Sequence, residues 1–376
     1  MFFKDIPGQS NVKQRLFTMV NEGRIPHALL FLAPDGYGNL LTAVVFAKYL
    51  FCTNKQNNEP CNFCPSCLKI NNLAHPDLHF VFPIVLSKDV RISETLMADF
   101  RHAFLNNPYL NQQDWLNEIG ADNKQLVIAA DESNNIIKQL SYTSFEGGYK
   151  VMIIWSPEKM NDSAANKLLK IVEEPPEKTI FILVCHQYDQ LLSTILSRTQ
   201  LVKFSVNSES EIVEALQAKG YNQQKSVYAA KLADGNINKA LDTLNNEQDS
   251  QEVNLLEHFQ QFMRTALKFN PFKINQWIDA TASLGREKQK QFFNYGLQLL
   301  RDCIVINFSS EQLVKCNPEE FDFLKKFAPF VHVNNIEGIT EEFNKTIFHI
   351  ERNANPKIVL MDFSLKMNEL LNLKKV

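Results

Sequence analysis

Residues 150–199 read KVMIIWSPEKMNDSAANKLLKIVEEPPEKTIFILVCHQYDQLLSTILSRT. Val151 to Trp155 is a short apolar run bounded by Ser156-Pro157, the pattern of a strand buried on both faces. Asn161 or Asp162 is suited to cap a helix in which Ala165, Leu168, Leu169 and Val172 recur at helical spacing. Pro175-Pro176 ends that helix, because a proline forces the preceding residue out of helical geometry. Thr179 to Cys185 predicts a second buried strand, and Leu191, Leu192, Ile195 and Leu196 line one face of a short helix ending at Ser197-Arg198. Two apolar strands joined by a helix imply a parallel sheet with a right-handed crossover.

Within this stretch LLKIVEEPP (168–176), followed by ILSRT (195–199), resembles the LLK-x-LEEPP and SRC signatures of clamp-loader subunits, a branch of the AAA+ ATPases. The likeness runs over about fifty contiguous residues, with Thr199 in place of the last signature cysteine. It implies an AAA+-type P-loop α/β fold. It also implies that Arg198 lies at a subunit interface and reaches, in trans, the ATP of a neighbour. Helix physics alone would make Arg198 a surface arginine meeting the negative end of a helix dipole.

The phosphate chemistry of such a fold belongs earlier in the chain. Ala28 to Phe31 is a short apolar strand, Ala33 to Leu40 (APDGYGNL) a glycine-bearing loop, and an amphipathic helix follows through Phe51. That is the setting of a P-loop. Such a loop needs a lysine on the terminal phosphates and a hydroxyl on magnesium. Behind Gly36 and Gly38, Asn39 stands where the lysine belongs and Leu40 where the hydroxyl belongs; Ala33 replaces the first glycine. Aligned on the resemblance, Trp155 and Ser156 occupy the two acidic positions that order magnesium and polarise water, while Glu158, beyond Pro157, reads as a solvated loop charge. In ADGNINKAL (233–241) Asn238 takes the place of a nucleotide-sensing arginine. These losses point to a degenerate P-loop, with no ATP on this subunit and no intrinsic ATPase.

The strongest local chemistry is Cys52 followed by CNFCPSC (61–67). Cys61, Cys64 and Cys67 at two-residue intervals, with Cys52 at the preceding helix end, offer four thiolates to one ion. That donor set matches structural zinc, an iron–sulfur cluster being the rival. His75 is a competing ligand that the set does not need. The module also resembles the zinc insertion of bacterial clamp-loader subunits.

At 376 residues the chain is too long for one core. A net charge of −3 excludes a global basic footprint for nucleic acid. The start, MFFKDIPGQS, does not read as a signal peptide, and no apolar run reaches membrane-spanning length, so a cytoplasmic protein without membrane contact is expected. There the seven cysteines would be thiols or metal ligands.

The expected organisation is an AAA+-like α/β domain over 1–205, carrying the zinc module at 52–67 and an insertion over about 83–125 that reads as a surface excursion packed on the sheet. A small helical lid domain follows over 206–247, its first helix capped by Ser208, with Asn245 to Ser250 a polar linker. An all-helical collar over 248–376 completes the chain; in the resembling family this region joins the subunits. The resemblance implies an ATP-inert member of the clamp loader of the DNA polymerase III holoenzyme. Its partners would be gamma/tau and delta subunits and, through the complex, the sliding clamp and primer–template DNA. The alternatives are an active gamma/tau-like ATPase, which would keep Lys, Asp and Glu at 39, 155 and 156, and a zinc-dependent nucleic-acid-binding module. The latter would interleave basic and aromatic residues with the cysteines, where only Lys69 and Phe63 stand.

Overall fold

A computed structural model describes residues 1–121, 124–245, 255–309, 314, 316, 318–352 and 354–373. The chain divides into two compact units, Met1–Glu247 and Gln248–Val376.

In the first unit the strands are β1 (Ala28–Leu32), β2 (Leu78–Val81), β3 (Lys150–Trp155), β4 (Thr179–Cys185) and β5 (Gln200–Lys203). Among the described residues they form a parallel sheet in the order β2-β3-β4-β1-β5. β3 and β4 pair from Lys150 opposite Thr179 to Trp155 opposite Val184, as their shared apolar character requires. β2 and β5 were not expected from the sequence. β2 is hidden at the start of the longer apolar run Leu78–Val85, and β5 is a short strand with only Val202 buried.

Helices cover both faces. In chain order they are α1 (Ser10–Asn21), α2 (Asn39–Phe51), α3 (Pro65–Asn71), α4 (Met97–Asn106), α5 (Gln112–Glu118), α6 (Ala130–Ser141), α7 (Asp162–Glu173), α8 (Ser193–Leu196), α9 (Glu209–Ala218), α10 (Gln223–Ala233) and α11 (Ile237–Asn245). Strand alternation splits the core. Phe31, Val151, Ile153, Trp155, Ile182 and Val184 face α2, α4 and α5, while Leu30, Met152, Ile154, Phe181 and Leu183 face α6 and α7. Asn161 caps α7 by accepting from the Ala164 N–H at 2.9 Å, and Ser208 caps α9 in a reciprocal box with Glu211. Ser10, in contrast, is the first residue of α1; the cap position is Gln9.

Two expectations change. The segment over about 83–125, read as a surface excursion packed on the sheet, supplies core as well: among its described residues Phe100, Phe104 and Trp115 are fully buried, and Trp115 packs edge-on against Phe82 and Phe100 while its Nε1–H donates to the Pro83 carbonyl at 2.8 Å. Moreover, Ile212, Leu216, Ala229, Ala233, Ile237 and Ala240 of α9–α11 join the apolar core that also contains β1 and α2. The helices read as a lid therefore belong to the same compact unit as the sheet.

The second unit contains α12 (Leu255–Lys268), α13 (Pro271–Ser283), α14 (Arg286–Phe308), α15 (Pro318–Phe327), α16 (Val333–Glu351) and α17 (Pro356–Leu371). Its core is aromatic, with Phe259, Phe262, Phe293, Phe343, Phe363 and Trp277 interlocked. Of the polar run Asn245–Ser250, Asn245 ends α11 and residues 246–250 lie outside the described residues. No helix among the described residues is long and apolar enough to cross a membrane.

Candidate functional site

In an open parallel sheet, ligands bind at the carboxyl ends of the strands, where the strand order reverses. Here those ends carry the loop after β1, Ser156 after β3 and His186 after β4. The loop keeps its shape. Gly36 and Gly38 are both left-handed, with φ of 78° and 86°, and a side chain on Gly36 would collide with Asn236. Neither side chain at the head of α2 is basic or hydroxyl-bearing. Asn39 is buried, and its Oδ1 accepts the Leu40 N–H at 3.1 Å, occupying an amide at the head of the helix. Leu40 is buried as well.

The space around the loop is taken up by the chain itself. Tyr109, 3% exposed, lies close enough that a Cβ on Gly38 would sit 3.2 Å from its ring, and its hydroxyl donates to the Asp5 carbonyl. Asn107 donates to Asn238, and Asn238 in turn donates to Asp114 at 2.8 Å. Asn236 donates to the Asp35 carbonyl at 2.8 Å, and the Ile237 N–H to the Gly36 carbonyl at 3.0 Å. Gln112 donates to Ser156 Oγ at 3.1 Å. Residues 107–114 and 234–238 thus close over the loop from two sides.

Beneath them lies a buried cluster that the sequence reading missed. His186 spans two carboxylates, Nε2 lying 3.2 Å from Asp35 and Nδ1 3.2 Å from Glu158, with Ser156 Oγ 3.3 Å from Nδ1. Glu158 is therefore not a solvated loop charge, since its side chain is fully buried. The turn at Ser156, left-handed at φ 54°, and the following Pro157 direct it inward. Burial pulls the His186 pKa down, but Asp35 and Glu158 outweigh it and leave the imidazole above its ordinary value. Burial likewise raises Asp35, against the pull of His186.

The cysteines form the second feature. The Sγ atoms of Cys52, Cys61, Cys64 and Cys67 all lie within 4.8 Å of one another. Cys61 and Cys67 are 4.0 Å apart, close to the ~3.8 Å edge expected of a tetrahedron with zinc–sulfur bonds of about 2.3 Å. The Cys61 N–H donates to Cys52 Sγ at 3.2 Å and the Cys64 N–H to Cys61 Sγ at 3.3 Å, bonds that favour thiolates. Burial opposes ionisation at Cys64, yet N–H bonds from Thr53 and Cys67 draw it down to about 6. Burial keeps Cys67 well above the ordinary thiol range. Four thiols crowded this way ionise together only around a cation, so the group could hold one metal ion. His75 stands outside it, stacked on Phe51, with Nδ1 accepting the Asp77 N–H and Nε2 donating to Glu146 at 3.1 Å. Glu146 also accepts from Ser66 and Lys69, tying α3 to the turn before β3.

Arg198 follows α8, away from both features. Its Nε donates to Glu173 at 2.6 Å and its Nη1 to the Thr194 carbonyl at 3.0 Å; its side chain stays 37% exposed. Thr199, in the place of the signature cysteine, donates back to the Ile195 carbonyl.

A family model described as DNA polymerase III, delta subunit, matches residues 8–208. The delta' subunit of DNA polymerase III from Bacillus subtilis is 27% identical over 312 residues, covering 81% of this chain and 79% of that protein. The tau subunit from the same organism is 28% identical over 249 residues, covering 64% of this chain and 37% of its own length. Among solved structures, a DNA polymerase III gamma-subunit-related protein of Thermotoga maritima aligns with 95% of this chain and 99% of its own, at 13% identity and a TM-score of 0.39. At that level the likeness adds nothing to what the sheet order shows.

Proposed function

The chain belongs to the DNA polymerase III, delta subunit family, a clamp-loader family of AAA+ type, and from that premise we propose that it is the ATP-inert delta-prime subunit of a bacterial clamp loader. In this reading it helps to place the sliding clamp on primer–template DNA in the cytoplasm, in company with gamma/tau and delta subunits. The observation that carries it is the phosphate loop. Asn39 and Leu40 replace its ligands, and Tyr109 and Asn236 crowd its two glycines. A chain so built contributes to ATP hydrolysis only through a neighbour. The greater share of this chain matched by the delta' relative than by the tau relative agrees with that reading.

Arg198 is the group offered to the neighbour. Phosphoryl transfer spreads negative charge over the terminal oxygens, and a guanidinium fork stabilises it from across an interface by on the order of a thousandfold or more. The four cysteines hold a structural zinc, a closed site with no position for a reacting water.

The test is reconstitution. The isolated chain should show no ATP turnover and no ATP retained in equilibrium dialysis, yet should co-purify with gamma/tau and delta subunits in a stoichiometric complex weighed by native mass spectrometry. In that complex Arg198→Ala should lower DNA-stimulated ATP hydrolysis while leaving assembly intact, and Arg198→Lys should substitute poorly, because lysine lacks the planar two-point contact. The loss is partial, since other interfaces keep their own arginines. Turnover by the isolated chain, or equal rates with the Ala variant, would overturn the respective halves of the proposal.

A further inference from the structure

Lys48 lies in the last turn of the first unit's most buried helix, α2, one turn before Cys52, and is itself fully buried. A buried ammonium ordinarily pairs with a carboxylate, since an uncompensated charge is costly away from water. Lys48 has a different set of partners. Its Nζ donates to the Met1 carbonyl at 2.9 Å, to Asn71 Oδ1 at 2.7 Å and to Asn62 Oδ1, all of them neutral oxygens. The Phe2 ring lies 5.1 Å away. Among the described residues no carboxylate comes within ion-pair distance of it. Asp5 acts on it only from farther off and lies 3.9 Å from the Met1 ammonium.

The missing negative charge is supplied by the cysteines. A divalent ion held by four thiolates leaves two net negative charges at a site whose ligands are largely buried. Lys48 is wired into that site. Asn62, whose Oδ1 accepts from Lys48, sits between Cys61 and Cys64 in left-handed backbone at φ 66°. Asn71, the other side-chain acceptor, ends α3, the helix that carries Cys67, and donates to Asn62 at 2.8 Å. Both side-chain acceptors of the cation therefore stand on the segment that carries the cysteines, Asn62 between Cys61 and Cys64 and Asn71 on the helix of Cys67.

We propose that Lys48 is the counter-charge of the four-thiolate metal centre, offsetting its net negative charge and slowing release of the metal. The inference rests on the zinc reading above. It deepens that reading by placing part of the site's affinity outside its ligands. Partners beyond the ligands are commonly worth roughly 10–100-fold in metal affinity.

The experiment uses the full-length chain purified with zinc. Zinc affinity and release are measured against a colorimetric chelator, and the thiolate-to-metal absorption band is followed after cobalt substitution. Lys48→Gln keeps a polar group without the charge and should bind zinc about 10–100-fold more weakly. Asn62→Asp leaves Lys48 in place but neutralises it with an adjacent carboxylate, and should weaken zinc in the same direction. Asn62→Gly, which the left-handed backbone accepts, removes the bridge and keeps the charge, and should lose less than Asn62→Asp. If Lys48→Gln fails to fold, the two Asn62 variants decide. Equal zinc affinity in Lys48→Gln and the unaltered chain, or in Asn62→Asp and Asn62→Gly, overturns the proposal. A parent chain that holds no zinc at all overturns the zinc reading instead.

Discussion

The two ends of α2 make an instructive pair. Its N-terminus emerges from a left-handed turn at Gly38, the geometry that in active P-loops presents amides to phosphate. Its C-terminus delivers Cys52 to a cluster completed a few residues later. One end keeps the backbone of a glycine loop, with Asn39 and Leu40 as the side chains behind it. The other keeps a full set of donors, with their N–H bonds and a buried cation alongside. Backbone shape is maintained by packing, which Tyr109 and Asn236 supply as readily as a nucleotide. Chemistry survives only where the donor atoms do.

The comparison would break first at the cysteines. Cys61→Ser should abolish tight zinc binding, and because structural zinc contributes on the order of 10 kcal/mol to its module, hydrogen exchange across residues 53–75 should rise sharply. Zinc still bound at one per chain, by metal analysis, would mean that the cluster is not the donor set. At the other end of α2, the close cover of the loop is expected to be core. Trp115→Ala should cost about 3–5 kcal/mol in denaturant unfolding of the first unit, and a cost under 1 kcal/mol would make residues 83–125 an appendage after all.

A finer test lies in the acid–imidazole–acid bridge. A histidine whose folded pKa is raised stabilises fully below its unfolded value near 6.5 and loses that contribution as pH climbs through the folded value. Asp35, raised by burial, has the same sign of dependence in a window that opens lower, above its ordinary value of 3.8. The melting temperature of the first unit should therefore fall as pH rises above about 6.5, with a shallower slope in His186→Gln. Identical slopes would show that His186 binds its proton no more tightly in the folded state. The smallest effect expected is none: Asn39→Lys combined with Leu40→Thr restores two ligands but leaves Tyr109 and Asn236 in place, so ATP dialysis should stay at background. Binding by this variant would show that lost side chains alone, and not the closed loop, keep nucleotide out.

What the sequence made legible follows from how local each signal is. β3, α7 and β4 are written in apolar runs, a capping Asn161 and a double proline, all within about fifty residues. The cysteine spacing is equally local, and the four residues it singles out are the four the fold brings together. Other features depend on distant partners. Glu158 reads as a loop charge until β4 places His186 against it, 28 residues on. Phe100 and Trp115 sit among polar residues, and only their meeting with Phe82 makes a core of them. Lys48 falls in the apolar pattern of α2 with nothing in its neighbourhood to mark it as buried.

All thirteen residues of α2 are buried. At about 1.5 Å per residue the helix is a strut roughly 20 Å long with no free side. It cannot tilt or slide to suit a change at one end without disturbing the other. The glycine loop at one end and the four-cysteine cluster at the other are thus joined by a single mechanical part. The loop is the seat of that strut, so a change of shape there should be felt as loosening among the cysteines.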